Sequence, residues 1–289
     1  MSKSMNTGIY GFSIPEFIEK ALSEDVGDGD HTSLATISAD SISKAVVKVK
    51  EKGIISGLVL ADQILNKVDS TLVVKVLVNE GALVLPGDEV MQLQGNTRSL
   101  LKAERLLLNC MQRMSGIATK TNALVKLIEG TGAKILDTRK TTPNFRVFEK
   151  WAVETGGGHN HRFGLYDMIL IKDNHVDACG GIEKAIDTAN VYLERTGKKL
   201  QIEIETRSMD EVRRVIKHGN VNRILLDNFS LANLKEAVAA IHKRFETEAS
   251  GNITEETIRA VAETGVDYIS VGALTHSYKS LDISMKILK

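Results

Sequence analysis

The chain has 289 residues and a mass of 31.6 kDa, enough for one large or two modest domains with a buried core. Hydrophobic residues make up 43% and charged residues 26%, the balance of a globular protein. Lys+Arg and Asp+Glu number 37 each, so no global field attracts nucleic acid or an acidic membrane, and any anion must be recognised locally.

Residues 13–25 read as a helix, because Ile14, Phe17, Ile18, Ala21 and Leu22 recur at helical spacing with Pro15 near the start. GDGDHT (27–32) reads as a loop. From 44 to 94 the pattern becomes β-like: Ala45, Val47 and Val49 alternate with lysines, the run Val73 to Val78 follows, and a helix at about 57–67 separates them. EGALVLPGDEVMQLQG reads as a strand, a Pro-Gly turn and a second strand. It resembles the hairpins of biotinyl and lipoyl carrier domains in architecture only, since its tip is Pro86-Gly87-Asp88 and holds no lysine to modify.

Two helices are expected next, at 98–114 and 116–130, with a break near Gly116. Strands then alternate, mostly with helices, at 133–138, 167–172, 200–206, 223–228, 244–249 and 268–272. Glu205, Asp227, Ser250-Gly251 and Gly272 fall at the ends of these strands at nearly equal intervals, each about one βα unit. A parallel barrel collects functional groups at such strand ends. An open doubly wound sheet would give the same beat.

Cys110 and Cys179 stand far from any CxxC spacing, which suits reduced thiols in the cytoplasm and, more simply, two packed small hydrophobes. The stretch MSKSMNTGIYGFSIPEF lacks a continuous apolar run, so no secretory leader is expected. No apolar stretch approaches the ~18 residues of a membrane span, and the cytoplasm is the default compartment.

The segment from Asp137 to His175 interleaves Arg139, Lys140, His159, His161, Arg162, Lys172 and His175 with the triplet Gly156-Gly157-Gly158. Cations gathered this densely in a neutral protein point to a pocket for a small, highly charged anion. Arg offers a planar fork for carboxylates and Lys a compact charge for phosphate; alone, Arg139-Lys140 would read as a solvated loop. Glycine lets the backbone approach a ligand, and flexible linkers rarely pack two histidines and an arginine so closely. The histidines lack HExxH spacing and a cysteine pattern, which argues against a zinc site. Lys172 ends an apolar strand and reads as a cation at a barrel mouth.

Glu205 and Asp227 supply the opposite sign. Carboxylates at strand ends could hold Mg²⁺, accept sugar hydroxyls or stabilise a cationic transition state, while the simpler reading pairs them with Arg207 and Arg223. Ser250-Gly251-Asn252 precedes a helix expected to be capped by Thr254, with Glu255 and Glu256 in its first turn. With Val271-Gly272-Ala273 it could form a phosphate cradle of backbone amides. Arg105, on a leucine-rich helix, reads from the sequence alone as surface decoration.

The motifs TRKTTP (138–143), GGGHNHRFGLYDMILIKDNH (156–175), ILLDNF (224–229), Ser250 to Ile253 and VGALTHS (271–277) resemble quinolinate phosphoribosyltransferases, from the GDGDHT loop to the C-terminus. The resemblance implies an N-terminal open α/β sandwich domain (1–115, with 277–289 packing back) and a TIM-like α/β barrel of fewer than eight strands (116–276). It implies conversion of quinolinate and phosphoribosyl pyrophosphate to nicotinate mononucleotide, pyrophosphate and CO₂ in NAD biosynthesis, with Mg²⁺. Arg139, His161, Arg162 and Lys172 then look like the quinolinate-binding cations. Lys140, Glu205, Asp227, Ser250, Gly251, Gly272 and His276 look like the phosphoribosyl pyrophosphate side, with Lys140, Lys172, Glu205 and Asp227 catalytic and Glu205 and Asp227 the metal ligands. Arg105 resembles an arginine given to the neighbouring site of a homodimer. Asn144 and Asn252 stand where the family commonly has glycine; Asn tolerates left-handed backbone, so these loops are expected to keep their shape. The competing readings are a related transferase for nicotinate or another ring acid, including the molybdate-operon relative, and a non-catalytic binder of phosphosugars or dicarboxylates.

Overall fold

The computed structural model describes residues 12–288; the first eleven residues, where the stretch read for a leader begins, lie outside them. The chain divides into one unit of residues 1–116 with 279–289, and a second of residues 117–278.

In the first unit, α1 (Ile14–Val26) starts where the Ser13 hydroxyl accepts the Glu16 amide and Pro15 occupies the first turn. The segment read as a loop at 27–32 instead turns into α2 (His31–Thr36), because Asp30 accepts the Ser33 amide and so starts a helix within a glycine-rich turn. There follow β1 (Ile42–Val49), β2 (Gly53–Ile54), α3 (Leu58–Val68), β3 (Val73–Val76), β4 (Leu83–Val84) and β5 (Glu89–Asn96). Buried Val46 and Val47 on β1, Met91 and Leu93 on β5, and Leu60, Ile64 and Leu65 on α3 form the core of this unit. Each contributes roughly 1.5–3 kcal/mol on burial.

A single helix, α4 (Thr97–Leu127), replaces the two expected, and Gly116 lies inside it without breaking it. A Cβ at Gly116 would lie 2.2 Å from the Lys279 carbonyl oxygen. The glycine allows the C-terminal segment to cross the helix closely, a long-range demand that helix propensity cannot reveal.

The second unit alternates strand and helix: β6 (Lys134–Leu136), α5 (Arg146–Thr155), β7 (Ile169–Ile171), α6 (Asp173–Cys179), α7 (Ile182–Thr196), β8 (Ile202–Thr206), α8 (Met209–His218), β9 (Arg223–Asp227), α9 (Leu231–Ile241), β10 (Glu246–Ser250), α10 (Ile258–Ala262), β11 (Tyr268–Ser270) and α11 (Ala273–His276). Its six strands pair in parallel in the order β6-β11-β10-β9-β8-β7. This is the α/β barrel of fewer than eight strands. The main chain of His159 bridges the edge of β6: its amide donates to the Ile135 carbonyl at 2.8 Å, and its carbonyl accepts the Asp137 amide at 3.1 Å. Because the strands are parallel, their C-terminal ends bring Asp137, Lys172, Glu205, Asp227, Ser250 and Gly272 to one end of the sheet.

The chain returns to the first unit as β12 (Ile283–Leu288), antiparallel to β1, and completes the four-stranded sheet β12-β1-β5-β3. The alternation Ile283, Met285, Ile287 was the available signal for this strand.

Candidate active site

A cavity of about 900 Å³ opens at the strand ends of the second unit. Arg139, Lys140, His161, Arg162 and Lys172 line it, together with Glu205, Asp227, Ser250, Gly251, Gly272 and His276. The parallel strands thus gather residues that lie more than a hundred positions apart. Arg105 lies instead on the exposed face of α4 in the first unit. His159 and His175 do not line the cavity; His175 Nδ1 accepts the Lys172 amide at 2.9 Å and begins α6.

The glycine triplet has a different purpose from the one its sequence suggests. A Cβ at Gly156 would lie 2.5 Å from the Ala118 carbonyl oxygen, and one at Gly158 would lie 2.8 Å from Thr121 Cγ2. These glycines let the loop lie against α4 and do not line the cavity. The same close approach holds the following His-Asn-His-Arg segment beside β6.

The cationic wall is crowded. Burial disfavours the charge on Arg162, and the nearby Arg139 guanidinium lowers its pKa further, against the pull of Glu203 and Asp167. Arg139 Nε is buried without a hydrogen-bond partner, a donor whose burial calls for an acceptor. Two guanidiniums held together facing one cavity are relieved by an anion between them.

On the acidic side, neither expected local pairing occurs. Arg207 binds Asp177 and Glu211, and Arg223 binds Glu246 and Glu248, which leaves Glu205 and Asp227 to the cavity. Glu205 Oε2 lies 3.7 Å from Lys172 Nζ. Burial raises the pKa of Glu205; Lys172 opposes this and Asp227 adds to it. Asp227 Oδ2 accepts the Asn228 side-chain amide at 2.7 Å, and Asn228 Oδ1 accepts that of Asn252 at 3.0 Å.

Asn144 and Asn252 have φ of 61° and 52°, the left-handed backbone a glycine would supply. Gly251, at φ +96°, passes so close to Asn228 that a Cβ would lie 2.2 Å from its Oδ1. The expected cap at Thr254 is absent: residues 254–257 form a turn and the helix starts at Ile258, because Thr254 N–H donates to Thr257 Oγ1. Gly272 packs beside Lys140 and His276, and Thr275 Oγ1 donates to the Lys140 carbonyl at 2.8 Å.

Beneath this wall lies a buried charge network that sequence reading missed. Asp137 and Lys150, 0% and 1% exposed, form an ion pair. Asp137 Oδ1 accepts the His161 amide at 2.9 Å, and Lys150 Nζ donates to the His161 carbonyl at 3.0 Å. His161 Nε2 lies 3.0 Å from Glu203 and 3.4 Å from Glu248, while Nδ1 accepts the Arg162 amide at 2.7 Å. Burial, together with the neighbouring Glu248, pushes Glu203 up to about 7. Burial also opposes charge on Glu248, but His161 and Arg223 hold its pKa below the usual range.

The two carboxylates draw His161 upward, to about 9, against its burial. A second ring proton on Nδ1 would nevertheless face the Arg162 N–H donor to donor, so the hydrogen-bond pattern assigns one ring proton, to Nε2. His161, Glu203 and Glu248 bring three ligand-type atoms within 4.8 Å, yet a protonated Nε2 makes them a hydrogen-bonded cluster and not a metal centre. The alternation Ile-Glu-Ile-Glu in β8 was the one available signal, since it places Glu203 on the same strand face as Glu205.

Residues 117–286 match the family model for the quinolinate phosphoribosyl transferase C-terminal domain, and residues 30–115 that for its N-terminal domain. Quinolinate phosphoribosyltransferase [decarboxylating] 2, mitochondrial, of Nicotiana glauca is 47% identical over 96% of this chain and 82% of its own length. A probable nicotinate-nucleotide pyrophosphorylase [carboxylating] of Bacillus subtilis is 40% identical over 91% of this chain and 90% of its own. The crystal structure of NadC from Streptococcus pyogenes aligns with a TM-score of 0.91 at 39% identity, covering 96% of this chain and 97% of that one. The chain belongs to the quinolinate phosphoribosyltransferase family.

Proposed function

We infer that the protein is a decarboxylating pentosyltransferase of NAD biosynthesis. It converts quinolinate and phosphoribosyl pyrophosphate to nicotinate mononucleotide, pyrophosphate and CO₂. The observation that carries this reading is the paired Arg139 and Arg162 with Lys172 in one cavity, beside Lys140 and two glycine loops. One ring dicarboxylate and one phosphosugar need that much matched positive charge, because a buried unpaired anion is costly.

In this reading Arg139, Arg162 and Lys172 hold the carboxylates of quinolinate and aim the pyridine nitrogen at ribose C1. Lys140, Ser250, Gly251, Gly272 and His276 receive the phosphate groups. The nitrogen attacks C1 as pyrophosphate leaves, through an oxocarbenium-like state that the Glu205 and Asp227 carboxylates stabilise. The carboxylate beside the new cationic nitrogen is then lost as CO₂, its bonding electrons staying on the ring carbon as an ylide that the adjacent nitrogen stabilises, and that carbon takes a proton from solvent. Glu205 and Asp227 end adjacent strands with oxygen donors facing the cavity, a donor set suited to Mg²⁺. A bound Mg²⁺ would neutralise charge on the pyrophosphate.

Turnover with phosphoribosyl pyrophosphate and Mg²⁺ tests the reading. Nicotinate mononucleotide should form from quinolinate and not from nicotinate, and a chelator should abolish it. Product from nicotinate alone favours the related transferase, and activity that survives chelation removes the metal.

We place Arg105, exposed on α4, in the cavity of a second copy in a homodimer. Arg105→Ala should then raise the KM for quinolinate by roughly tenfold or more, the loss of one charged hydrogen bond; an unchanged KM removes the shared site. Among the described residues no helix is long and apolar enough to cross a membrane. Cys110 and Cys179 are both free, which supports a reducing compartment such as the cytoplasm; recovery in an organelle fraction would contradict that assignment.

A further inference from the structure

His161 lies among the cations that line the cavity, yet none of its hydrogen-bonding atoms is free. Its main-chain amide and carbonyl are taken by Asp137 and Lys150. Its Nε2 faces Glu203 and Glu248, and its Nδ1 receives the Arg162 amide. The side chain is 7% exposed, and Glu203, 0% exposed, does not line the cavity.

We propose that His161 is a positioning residue: Asp137, Lys150, Glu203 and Glu248 lock it in place so that it presents Arg162, and it gives no ring nitrogen to the substrate. The inference rests on the quinolinate reading above and replaces the direct carboxylate contact that the family resemblance implied for His161.

The buried ion pair holds both main-chain groups of His161, the residue before Arg162. A ring proton on Nε2 faces the acidic side, so a lone pair remains on Nδ1 for the Arg162 amide. That amide bond sets the backbone from which the Arg162 guanidinium reaches the Met168 carbonyl at 3.2 Å and faces Arg139. Both Glu203 oxygens lack a full hydrogen bond, so the ring proton is the nearest donor to hold that carboxyl in place.

The test compares equilibrium binding of quinolinate, picolinate and nicotinate, which carry both ring carboxylates, the 2-carboxylate or the 3-carboxylate. It uses the full-length protein and the variants His161→Gln and Glu203→Gln, each checked first for a cooperative melt. Both variants should weaken the three ligands in the same order as Arg162→Ala does, by roughly tenfold for the ligand most affected, since the defect lies in the presentation of Arg162. A ligand preference that Arg162→Ala does not share assigns His161 a direct contact and overturns the proposal. So does unaltered binding in either variant.

Should a variant fail to fold, the ring nitrogen signals of isotope-labelled histidine in the unsubstituted protein decide. One proton on Nε2, with signals unmoved by saturating quinolinate, is expected; a ring nitrogen that responds to the ligand overturns the assignment. If the unsubstituted protein binds none of the three acids, the substrate reading fails. The ligand-free signal still tests the ring's role: a neutral Nε2–H ring upholds the lock, and an Nδ1 proton breaks it.

Discussion

Lys150→Met should destabilise the second unit by about 3–5 kcal/mol, the usual loss when one member of a buried ion pair is removed. Asp137 would remain 0% exposed with no counter-charge. Burial already pushes Asp137 up to about 6 and Lys150 downward, so each depends on the other for its charge. For a unit of this size the thermal midpoint should fall by on the order of 10 °C. The double variant Asp137→Asn with Lys150→Met should regain part of that loss. The substituted carboxamide carries no charge to strand, and its oxygen can still accept the His161 amide that Asp137 accepts now. Differential scanning of the three proteins checks this. A midpoint for Lys150→Met within about 2 °C of the parent would show that the pair holds little.

Arg139→Ala should lower kcat/KM for quinolinate by roughly two to three orders of magnitude, as expected for truncating one partner of a desolvated charge pair, about 2–5 kcal/mol. The Arg139 Nε is buried without an acceptor, so its hydrogen bond is available to a ligand without first breaking another. The loss should fall mainly on quinolinate, with the KM for phosphoribosyl pyrophosphate changed little, because the glycine loops at Ser250-Gly251 and Gly272 follow other strands and the Lys140 charge is kept. Arg139→Lys should recover only part of the activity, since the point charge returns without the planar fork. Steady-state kinetics on both substrates separates these effects. A uniform rise in both KM values would show that Arg139 acts on the shape of the whole cavity.

The strand-end positions were legible in the sequence because a parallel barrel repeats: Glu205, Asp227, Ser250 and Gly272 fall at strand ends at near-equal intervals, and each reaches the cavity. Arg139, Lys140, Arg162 and Lys172 were legible as a cluster, since charge density is a local property. The rest depended on contacts between distant residues. Gly116 looked like a helix break because nothing near it in sequence announces the Lys279 carbonyl that it accommodates. The triplet at 156–158 looked like a ligand loop because glycine reports a close approach without naming what approaches; here it is α4. Lys150 sits in an amphipathic helix where a lysine ordinarily faces water, and only the fold turns it toward Asp137. Glu203 and Glu248 lie in strands that carry a second carboxylate two residues away, Glu205 and Glu246, and only the fold shows which of each pair is buried.

Quinolinate labelled in its 2-carboxyl group gives the most direct test that this cavity transfers a phosphoribosyl group and then decarboxylates the product. Labelled CO₂ and pyrophosphate should appear in equal amounts, and neither should appear when quinolinate or phosphoribosyl pyrophosphate is omitted. Release of CO₂ without phosphoribosyl pyrophosphate, or of pyrophosphate without CO₂, would contradict the account.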